Sequence, residues 1–388
     1  MFVDLTPEQH ALRHRVRDYF QGLMTPELRR ALRGKEGGTL YRDTIRRMGA
    51  DGWLAVGWPK EHGGQGYAAT EQLIFFEEAN IAGAPLPFVT ISTVGPALME
   101  YGTALQKKTF LPGIAAGEIM FAIGYSEPEA GSDLATLKTS ARLDGDHFVV
   151  NGNKLWTSGA EAADFIWLAA RTDPALPRHK GVSILILDTR AEGFSHTVIP
   201  TCSNPTAATY YDNVKVPREM LVGELNGGWK LITAQLNHER LGLGSWSDKV
   251  AGLFRRVLLW AKAADESGRR AVDAPWVRSL LAECYARLEA MRLINFRIAA
   301  DLERGHMDVA LASATKVYGS ESAIDILRKL SEIVGASALV RDGSAAAALL
   351  GELEYEVRAS VTLTFGGGTN EIQRELIAQF GLGMPRSR

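Results

Sequence analysis

The strongest constraint on the fold is the stretch 122–226, in which short β-type runs follow one another with no helix-length pattern between them. The turn-type dipeptides Asp144-Gly145 and Asn151-Gly152 flank the apolar run Phe148-Val149-Val150. Further strand-like runs follow at 165–170, 182–187, 197–200 and 210–216. A parallel sheet needs long crossover segments, usually helices, between its strands. The pattern therefore favours a compact antiparallel sheet or barrel.

Helical patterns lie on both sides of this stretch. At the start, Thr6 and Gln9 form a capping box, with Pro7 at the first helical position. Further helical patterns precede residue 122, at 39–48, 69–81 and 96–109. Amphipathic segments then follow the β stretch at 228–264, 275–304, 308–333, 345–358 and 370–378. The predicted fold is α+β and multidomain, with an N-terminal helical domain (1–121), a central antiparallel β domain (122–226) and a C-terminal four-helix bundle (227–388).

Composition narrows the functional classes. The chain has 388 residues, 46% of them hydrophobic, which is enough for more than one core. Its 43 basic and 45 acidic residues give a net charge of -2, so nucleic acid is not expected as a partner. The two cysteines, Cys202 and Cys284, exclude a disulfide scaffold and suit no metal motif. Neither a signal peptide nor a transmembrane segment is visible, so we expect a cytoplasmic protein without bound metal.

Two segments of the β stretch combine small and polar residues in ways that suit ligand binding. In Ala122-Ile-Gly-Tyr-Ser-Glu-Pro-Glu-Ala-Gly-Ser-Asp133, Gly131 and Ser132 can bring backbone N–H groups close to an anion, although this segment taken alone favours an ordinary turn-rich connector. In Lys154-Leu-Trp-Thr-Ser158, Trp156 can wall a flat ring whose edge the hydroxyls of Thr157 and Ser158 contact. A tryptophan buried in a hairpin core is the alternative.

A third segment, Gly366-Gly367-Gly368-Thr369-Asn370-Glu371, is a glycine run that opens a helix. Exposed N–H groups there can bind an anion or a carbonyl, whereas a flexible lead-in to the helix predicts the same pattern. The three segments together, in this order and on a helix–sheet–helix plan, are far more specific than any one of them. Over essentially its whole length the chain resembles the acyl-CoA dehydrogenase family of flavoproteins.

The resemblance implies FAD as cofactor, bound between the β domain and the C-terminal bundle. It places Tyr125, Ser126, Thr157 and Ser158 at the isoalloxazine ring and Trp156 over one of its faces. Gly131 and Ser132 are expected near the pyrophosphate, with Ser132 also near the CoA of the substrate. Thr369 and Glu371 are expected at the nucleotide half of the flavin. Family members remove two hydrogens across Cα–Cβ of an acyl-CoA thioester: a carboxylate takes the α-proton and flavin N5 takes the hydride.

The position of that carboxylate is informative. Many family members carry a glutamate immediately before the Gly-Thr of the third segment, where this chain has Gly367. A second group carries it on a bundle helix directly before an arginine, which corresponds here to Glu239 before Arg240. The hypothesis is that Glu239 is the general base. The amides near Gly367 and Gly368 would then donate to the thioester carbonyl. Arg240 would lie near the CoA or orient the base, and Asn237 would contact the pantetheine arm; a solvated Glu239–Arg240 charge pair is the alternative.

Two features of the family's cofactor site are missing. Ala264 stands where members that bind FAD across a homodimer often have an arginine, and Glu332 begins the stretch that matches their Gln-x-x-Gly-Gly loop. Glutamate is a poor neighbour for a pyrophosphate. Expected partners are therefore either a second copy of the chain or a paralogous chain in an α2β2 assembly, like the actinobacterial enzymes of steroid side-chain degradation. An electron-transfer flavoprotein is the expected electron acceptor.

Three functions stay open at this level. The first is an FAD-dependent acyl-CoA dehydrogenase and the second an acyl-CoA oxidase that passes electrons to oxygen. The third is a subunit that shares its FAD site with a paralogous chain or keeps the fold only for assembly.

Overall fold

The computed structural model describes residues 4–243, 245–306 and 308–386, with side chains described outside residues 236–247. The chain divides into two units, each formed by segments that are distant in the sequence. Unit 1 comprises Met1–Ala31, Ala68–Ala84 and Arg240–Arg388, and unit 2 comprises Leu32–Tyr67 and Pro85–Glu239. In the part of the chain that the structure describes, no helix is long and apolar enough to cross a membrane.

Local sequence signals set the helices. The predicted capping box at Thr6 and Gln9 is present and starts the first helix. Helices before the sheet are α1 (Pro7–Leu23), α2 (Pro26–Leu32), α3 (Thr39–Ala50), α4 (Ala69–Ala82), α5 (Gly95–Tyr101) and α6 (Ala104–Ala115). Those after it are α7 (Gly228–Leu243), α8 (Ser245–Lys262), α9 (Pro275–Glu303), α10 (Val309–Val334), α11 (Glu352–Ser360) and α12 (Asn370–Leu376). The prediction of helical regions on both sides of a β region is confirmed.

The helical pattern predicted at 96–109 is two helices rather than one. Helix α5 ends at Tyr101, and Thr103 begins α6 by accepting from the amide of Gln106, whose side chain returns to the amide of Thr103. This second capping box overrides the continuous apolar pattern. A π-helical turn, Val89–Val94, leads into α5.

One sheet takes eight strands in the described part of the chain, in the order β6-β7-β3-β2-β4-β5-β8, with β1 paired to β4. The strands are β1 (Phe121–Gly124), β2 (Ser140–Asp144), β3 (His147–Lys154), β4 (Phe165–Arg171), β5 (Val182–Asp188), β6 (Phe194–Ile199), β7 (Thr206–Pro217) and β8 (Leu221–Val222). Most pairings are antiparallel, as predicted. Strands β1 and β2 instead run parallel to β4, because the long connections that precede β4 allow the chain to return in the same direction.

One predicted hairpin turn is wrong. The turn between β2 and β3 is at Gly145, as expected from Asp144-Gly145, but Asn151-Gly152 lies inside β3. The register with β7 shifts between Val150 and Gly152, so the dipeptide marks a β-bulge. A Cβ at Gly152 would lie 2.8 Å from the Cα of Thr139, and its φ of 139° also favours glycine.

Each unit has its own apolar core. In unit 2, alternate residues of neighbouring strands pack together, including the fully buried Ile166, Leu168, Leu185 and Leu187. In unit 1, α8, α9 and α10 supply most of one apolar cluster. Fully burying a side chain of this size contributes about 1.5–3 kcal/mol, so these layers fix the ends of strands and helices from which polar side chains project.

Candidate active site

Tyr125 anchors the first of the three segments within unit 2. The indole Nε1 of Trp167 donates to the Tyr125 hydroxyl at 3.1 Å, and that hydroxyl donates to Oε1 of Gln235 on α7. Trp167 and Gln235 are both buried, with 0% and 2% of their surfaces exposed. The Tyr125 hydroxyl is thus engaged with protein groups, so cofactor contact at this position is expected from its ring or backbone.

A buried ion pair joins the first segment to the second. Nζ of Lys154 donates to Oε1 of Glu127 at 2.8 Å and to the carbonyl of Tyr125 at 3.0 Å. The carboxylate of Glu127 also accepts from the amides of Lys138 and Thr139, at 2.6 and 2.8 Å. The pair therefore fixes the two segments side by side.

Both members of the pair have lowered pKa values, although burial acts in opposite directions on a lysine and a glutamate. Burial lowers the pKa of Lys154 to about 8, against the opposing effect of the Glu127 carboxylate. Burial alone would raise the pKa of Glu127, but the Lys154 ammonium and the backbone donors outweigh it, and this pKa is lowered. Both groups are thus mostly charged at pH 7, and their mutual attraction offsets part of the cost of burying them.

The second segment presents Trp156 to solvent in a strained conformation. Trp156 has a φ of 65°, in the left-handed region, and 58% of its surface is exposed. The amide of Leu155 donates to the carbonyl of Ser126 at 2.8 Å, and that of Thr157 to the carbonyl of Ala207 at 2.9 Å. An exposed aromatic ring in a strained backbone is the kind of feature that clusters at ligand sites.

The hydroxyls beside Trp156 differ in exposure. Ser158 is exposed, and its hydroxyl lies 2.9 Å from the Thr206 hydroxyl. Thr157 is fully buried, and its hydroxyl lies 3.4 Å from that of Thr209. This conformation leaves no exposed surface on Thr157 for a cofactor, so its expected contact with the ring stays a prediction.

The turn at Gly131 and Ser132 is exposed. Glu127 and Ala130 exchange backbone hydrogen bonds just before it, and Asp133 forms an ion pair with Arg178 at 3.0 Å just after it. A Cβ at Gly131 would meet open space. The turn therefore stands clear of the sheet, where backbone groups can approach an anion.

The third segment belongs to unit 1. Gly367 and Gly368 have φ values of 67° and 96°, in the region that favours glycine. Thr369 caps α12 by accepting from the amide of Ile372 at 3.3 Å, and Glu371 lies exposed in the first turn. Hydrogen bonds from its own amide and from the Thr369 hydroxyl lower the pKa of Glu371.

Three predicted residues, Asn237, Glu239 and Arg240, have side chains outside the described part of the structure. Their backbone belongs to α7. The roles predicted for them rest on their positions in the sequence.

The two departures from the family pattern lie at exposed positions of unit 1. Ala264 pairs with Arg270 across a short turn that includes Gly268, and Glu332 is exposed near the end of α10. Neither position supplies a cationic side chain of its own.

Sequence reasoning missed Gln235 and Trp167, which hold Tyr125. A glutamine in an amphipathic helix is typical of a solvent-facing position, and a tryptophan in an apolar strand is typical of a core. The sequence does place Gln235 four residues after the apolar Leu231, and this spacing predicts that both lie on one side of a helix. In the structure both residues are buried on α7.

Family models and relatives of known proteins match this chain over most of its length. Family models for the N-terminal, middle and C-terminal domains of acyl-CoA dehydrogenases match residues 6–118, 122–214 and 226–382. The chain is 50% identical to acyl-CoA dehydrogenase FadE26 of Mycobacterium tuberculosis, with 100% of both chains covered. It is 48% identical to FadE29 of the same organism, over 100% of this chain and 99% of that one.

Solved structures agree with this assignment. The structure of the Tcur3481-Tcur3483 steroid ACAD superposes with a TM-score of 0.95 at 49% identity, covering 100% of both chains. The ChsE4-ChsE5 complex from Mycobacterium tuberculosis superposes with a TM-score of 0.92 at 51% identity, again over 100% of both chains. The chain therefore belongs to the acyl-CoA dehydrogenase family and is an FAD-dependent enzyme that dehydrogenates acyl-CoA thioesters.

Proposed function

We propose that this chain introduces a Cα–Cβ double bond into an acyl-CoA thioester with Glu239 as the α-proton base. The observation that carries the proposal is Gly367, which has no side chain where many family members hold their glutamate. Its φ of 67° would also strain a glutamate at this position. A carboxylate before an arginine on α7 is the available replacement.

The surface around Trp156 suits the isoalloxazine ring of FAD. It offers a large exposed aromatic face, the hydroxyl of Ser158 beside it, and the half-buried Tyr125 and Ser126 in the adjoining segment. Such a combination can stack on a flat ring and hydrogen-bond its edge. The exposed turn at Gly131 and Ser132 is the proposed contact for the pyrophosphate. When bound, FAD supplies the acceptor for the hydride that leaves the β-carbon.

Glu239 must take a weakly acidic proton with a carboxylate whose ordinary pKa is about 4.3. Removal of water around the bound acyl group would raise this pKa toward neutrality and make the carboxylate a stronger base. Gly367 and Gly368 are proposed to donate their amides to the thioester carbonyl, where negative charge develops.

The test is the Glu239→Gln variant, loaded with FAD. We expect flavin bleaching by acyl-CoA to fall by at least about 1000-fold, the order expected when a catalytic base is removed, while FAD content stays at the wild-type level. Glu224→Gln is the matched control, because Glu224 is an exposed glutamate of the same unit. Bleaching of Glu239→Gln at the wild-type rate would refute the assignment.

The proposed assembly is a hetero-oligomer with a paralogous chain that completes the FAD site. Ala264 and Glu332 support it, since neither provides the positive or amide group that a pyrophosphate favours. Two of the similar solved structures bear the names of two chains, Tcur3481-Tcur3483 and ChsE4-ChsE5. FAD per protomer, measured on the chain expressed alone, is the test: full occupancy with a single chain type would contradict a shared site.

The proposed substrate class is a CoA thioester on the side chain of a steroid. The support is the similarity to the protein described as a steroid ACAD, at 49% identity. A panel of straight-chain, branched and steroid acyl-CoA esters, assayed with a dye acceptor, tests it. Turnover confined to straight-chain esters would contradict this class.

The proposed function also includes an electron acceptor and a location in the cell. An electron-transfer flavoprotein is the proposed electron acceptor, and stopped-flow reoxidation by oxygen would distinguish an oxidase. Acyl-dependent bleaching of the flavin would exclude a subunit kept only for assembly. A cytoplasmic location is proposed because the chain has only two cysteines, as is usual for proteins of a reducing compartment.

A further inference from the structure

Thr206 is a buried threonine whose hydroxyl is hydrogen-bonded to the hydroxyl of the exposed Ser158. It is the first residue of β7 and pairs with Ile199 of β6, and only 5% of its surface is exposed. The two hydroxyl oxygens lie 2.9 Å apart, and no other side-chain hydrogen bond of Thr206 lies among the residues that the structure describes. The contact therefore joins the paired start of a strand to the segment that is proposed to bind the flavin ring.

Burial decides which of the two hydroxyls donates. A hydroxyl has one proton to donate and can accept two hydrogen bonds. Thr206 is shielded from water, so its proton needs an acceptor within the protein, and the Ser158 oxygen is the acceptor that this conformation offers. Ser158 is exposed, so its own proton can go to solvent or to a bound ligand. Donation from Thr206 to Ser158 is therefore the arrangement that satisfies both groups.

The backbone around Ser158 is held at the same place. The amide of Thr157 donates to the carbonyl of Ala207 at 2.9 Å, directly beside Thr206 in β7. The amide of Ser158 donates to the carbonyl of Trp156 at 3.0 Å. Threonine is also stiff at χ1 because it is branched at Cβ, so few directions are open to its hydroxyl. The position of the Ser158 oxygen is thus set through both its backbone and its side chain.

We infer that Thr206 is a positioning residue that makes Ser158 a hydrogen-bond donor toward an acceptor atom on the edge of the isoalloxazine ring. This inference rests on the proposed contact between Ser158 and that ring. Because the Thr206 proton occupies one side of the Ser158 oxygen, the Ser158 proton is directed away from Thr206 and toward the ligand. A donor that is oriented before the ligand arrives loses less rotational freedom on binding, so FAD should bind more tightly than it would to a serine that rotates.

The experiment is a double-mutant cycle on Ser158 and Thr206, with the Kd for FAD as the readout. It uses the assembled enzyme after removal of FAD, together with a partner chain where the assembly contains one, and FAD itself is the titrant. Ser158→Ala removes the proposed donor, and Thr206→Val removes the hydroxyl behind it but keeps the shape of the side chain. The visible absorption spectrum of the bound flavin, which responds to hydrogen bonds at the ring edge, is recorded for each variant.

The expected effects differ from those of two independent residues. Ser158→Ala should raise the Kd for FAD about 5-fold, the order expected for the loss of one hydrogen bond. Thr206→Val should raise it about 3-fold, because an undirected Ser158 still donates part of the time. If Thr206 acts through Ser158, the double variant should match Ser158→Ala at about 5-fold, whereas independent effects would multiply to about 15-fold. The spectra of Ser158→Ala with and without Thr206→Val should also coincide.

Two further variants control for packing. Thr206→Ser keeps the hydroxyl, so its Kd for FAD should lie within about 1.5-fold of wild type. Thr209→Val removes the hydroxyl of another buried threonine of β7, which contacts the hydroxyls of Tyr211 and Thr157 instead of Ser158, and its Kd should lie within about the same range. If Thr206→Val fails to fold, Thr206→Ala replaces it in the cycle with the same expected outcome.

Three results would overturn the role of Thr206. The first is an unchanged Kd for FAD in Thr206→Val, and the second is a double variant at the multiplied value, as a merely structural role would give. The third is a loss of affinity in Thr206→Ser or Thr209→Val as large as that in Thr206→Val, since the loss would then come from packing.

Failure of the inference is separable from failure of the proposed function. If Ser158→Ala binds FAD with wild-type affinity, the proposed contact of Ser158 with the ring fails and the inference falls with it. If Ser158→Ala binds FAD weakly while Thr206→Val binds it normally, the contact stands and only the role of Thr206 is refuted. The base is tested separately, because Glu239→Gln is expected to change flavin bleaching while FAD stays bound.

Discussion

The stabilities of two variants, Trp156→Gly and Trp156→Ala, should show whether the backbone at Trp156 is strained. Trp156 adopts a φ of 65° although it is not glycine. A left-handed conformation costs an L-residue about 1–2 kcal/mol, and glycine pays almost none of this. Replacing Trp156 by glycine removes both the ring and the strain, whereas alanine removes the ring and keeps the strain.

The magnitudes follow from the exposure of the ring. Trp156 is 58% exposed, so about 100 Å² of its surface is held away from water, which contributes roughly 2.5 kcal/mol at about 25 cal/mol per Å². Trp156→Ala should therefore destabilise the protein by about 2 kcal/mol. Trp156→Gly should be the more stable of the two by about 1 kcal/mol, the reverse of the usual order at positions with negative φ.

The assay is urea unfolding of the FAD-free protein, followed by circular dichroism, with Trp156→Phe as the control that keeps an aromatic ring. Titration with FAD then separates stability from function. Glycine and alanine should weaken FAD binding equally, since both lack the ring, while phenylalanine should retain most of it. An alanine variant as stable as the glycine variant, or more stable, would refute the claim that the backbone is strained here.

Two further predictions concern stability. Gly95→Ala should destabilise the protein by about 2–3 kcal/mol, because the new Cβ would lie 1.9 Å from the buried ring of Trp58. Gly22→Ala in α1 should stabilise it by about 0.5 kcal/mol, because the new Cβ meets nothing within 4 Å. Thermal melts of both variants test whether the two effects have opposite signs. The second prediction concerns Lys154, whose pKa of about 8 in the folded protein lies below its ordinary 10.5. Between these pH values the unfolded chain binds more protons than the folded protein. The free energy of unfolding should therefore increase as the pH rises through this window. Relative to Lys154→Met, the wild type should therefore gain about 2 kcal/mol between pH 7 and 9.5 in urea unfolding, and a difference independent of pH would contradict the shift.

Local signals made the helices predictable, and long-range pairing limited the prediction of the sheet. The capping box at Thr6 depends on residues three apart, so it is legible in the sequence and present in the structure. Strand runs at 165–170 and 182–187 also match β4 and β5 closely. The parallel pairing of β1 with β4 was not predictable, because it depends on which distant strand β1 meets. Asn151-Gly152 misled because a bulge and a hairpin turn use the same residue types.

The candidate site was only partly predictable from the sequence, because some of its features depend on contacts between distant residues. The motif residues Tyr125 and Trp156 are recognisable by their order in the chain, but the strain at Trp156 depends on how its neighbours are held. Gln235 carries no motif, and its importance appears only from its burial and its bond with Tyr125. Boundaries at 121/122 and 226/227 stay a prediction, since the two units of the structure divide the chain along other lines.

The strain at Trp156 and the buried ion pair beside it belong to one arrangement. Lys154, two residues before Trp156, and Thr157, directly after it, are both fully buried, and the amides of Leu155 and Thr157 are bonded to the carbonyls of other strands and turns. Those two backbone bonds contribute about 1 kcal/mol each, which together offset the 1–2 kcal/mol of the left-handed residue. With the chain fixed on both sides, Trp156 cannot relax without breaking one of these bonds. The β domain therefore sets the position of the aromatic face before any ligand arrives, and cofactor binding need not supply the energy to order it.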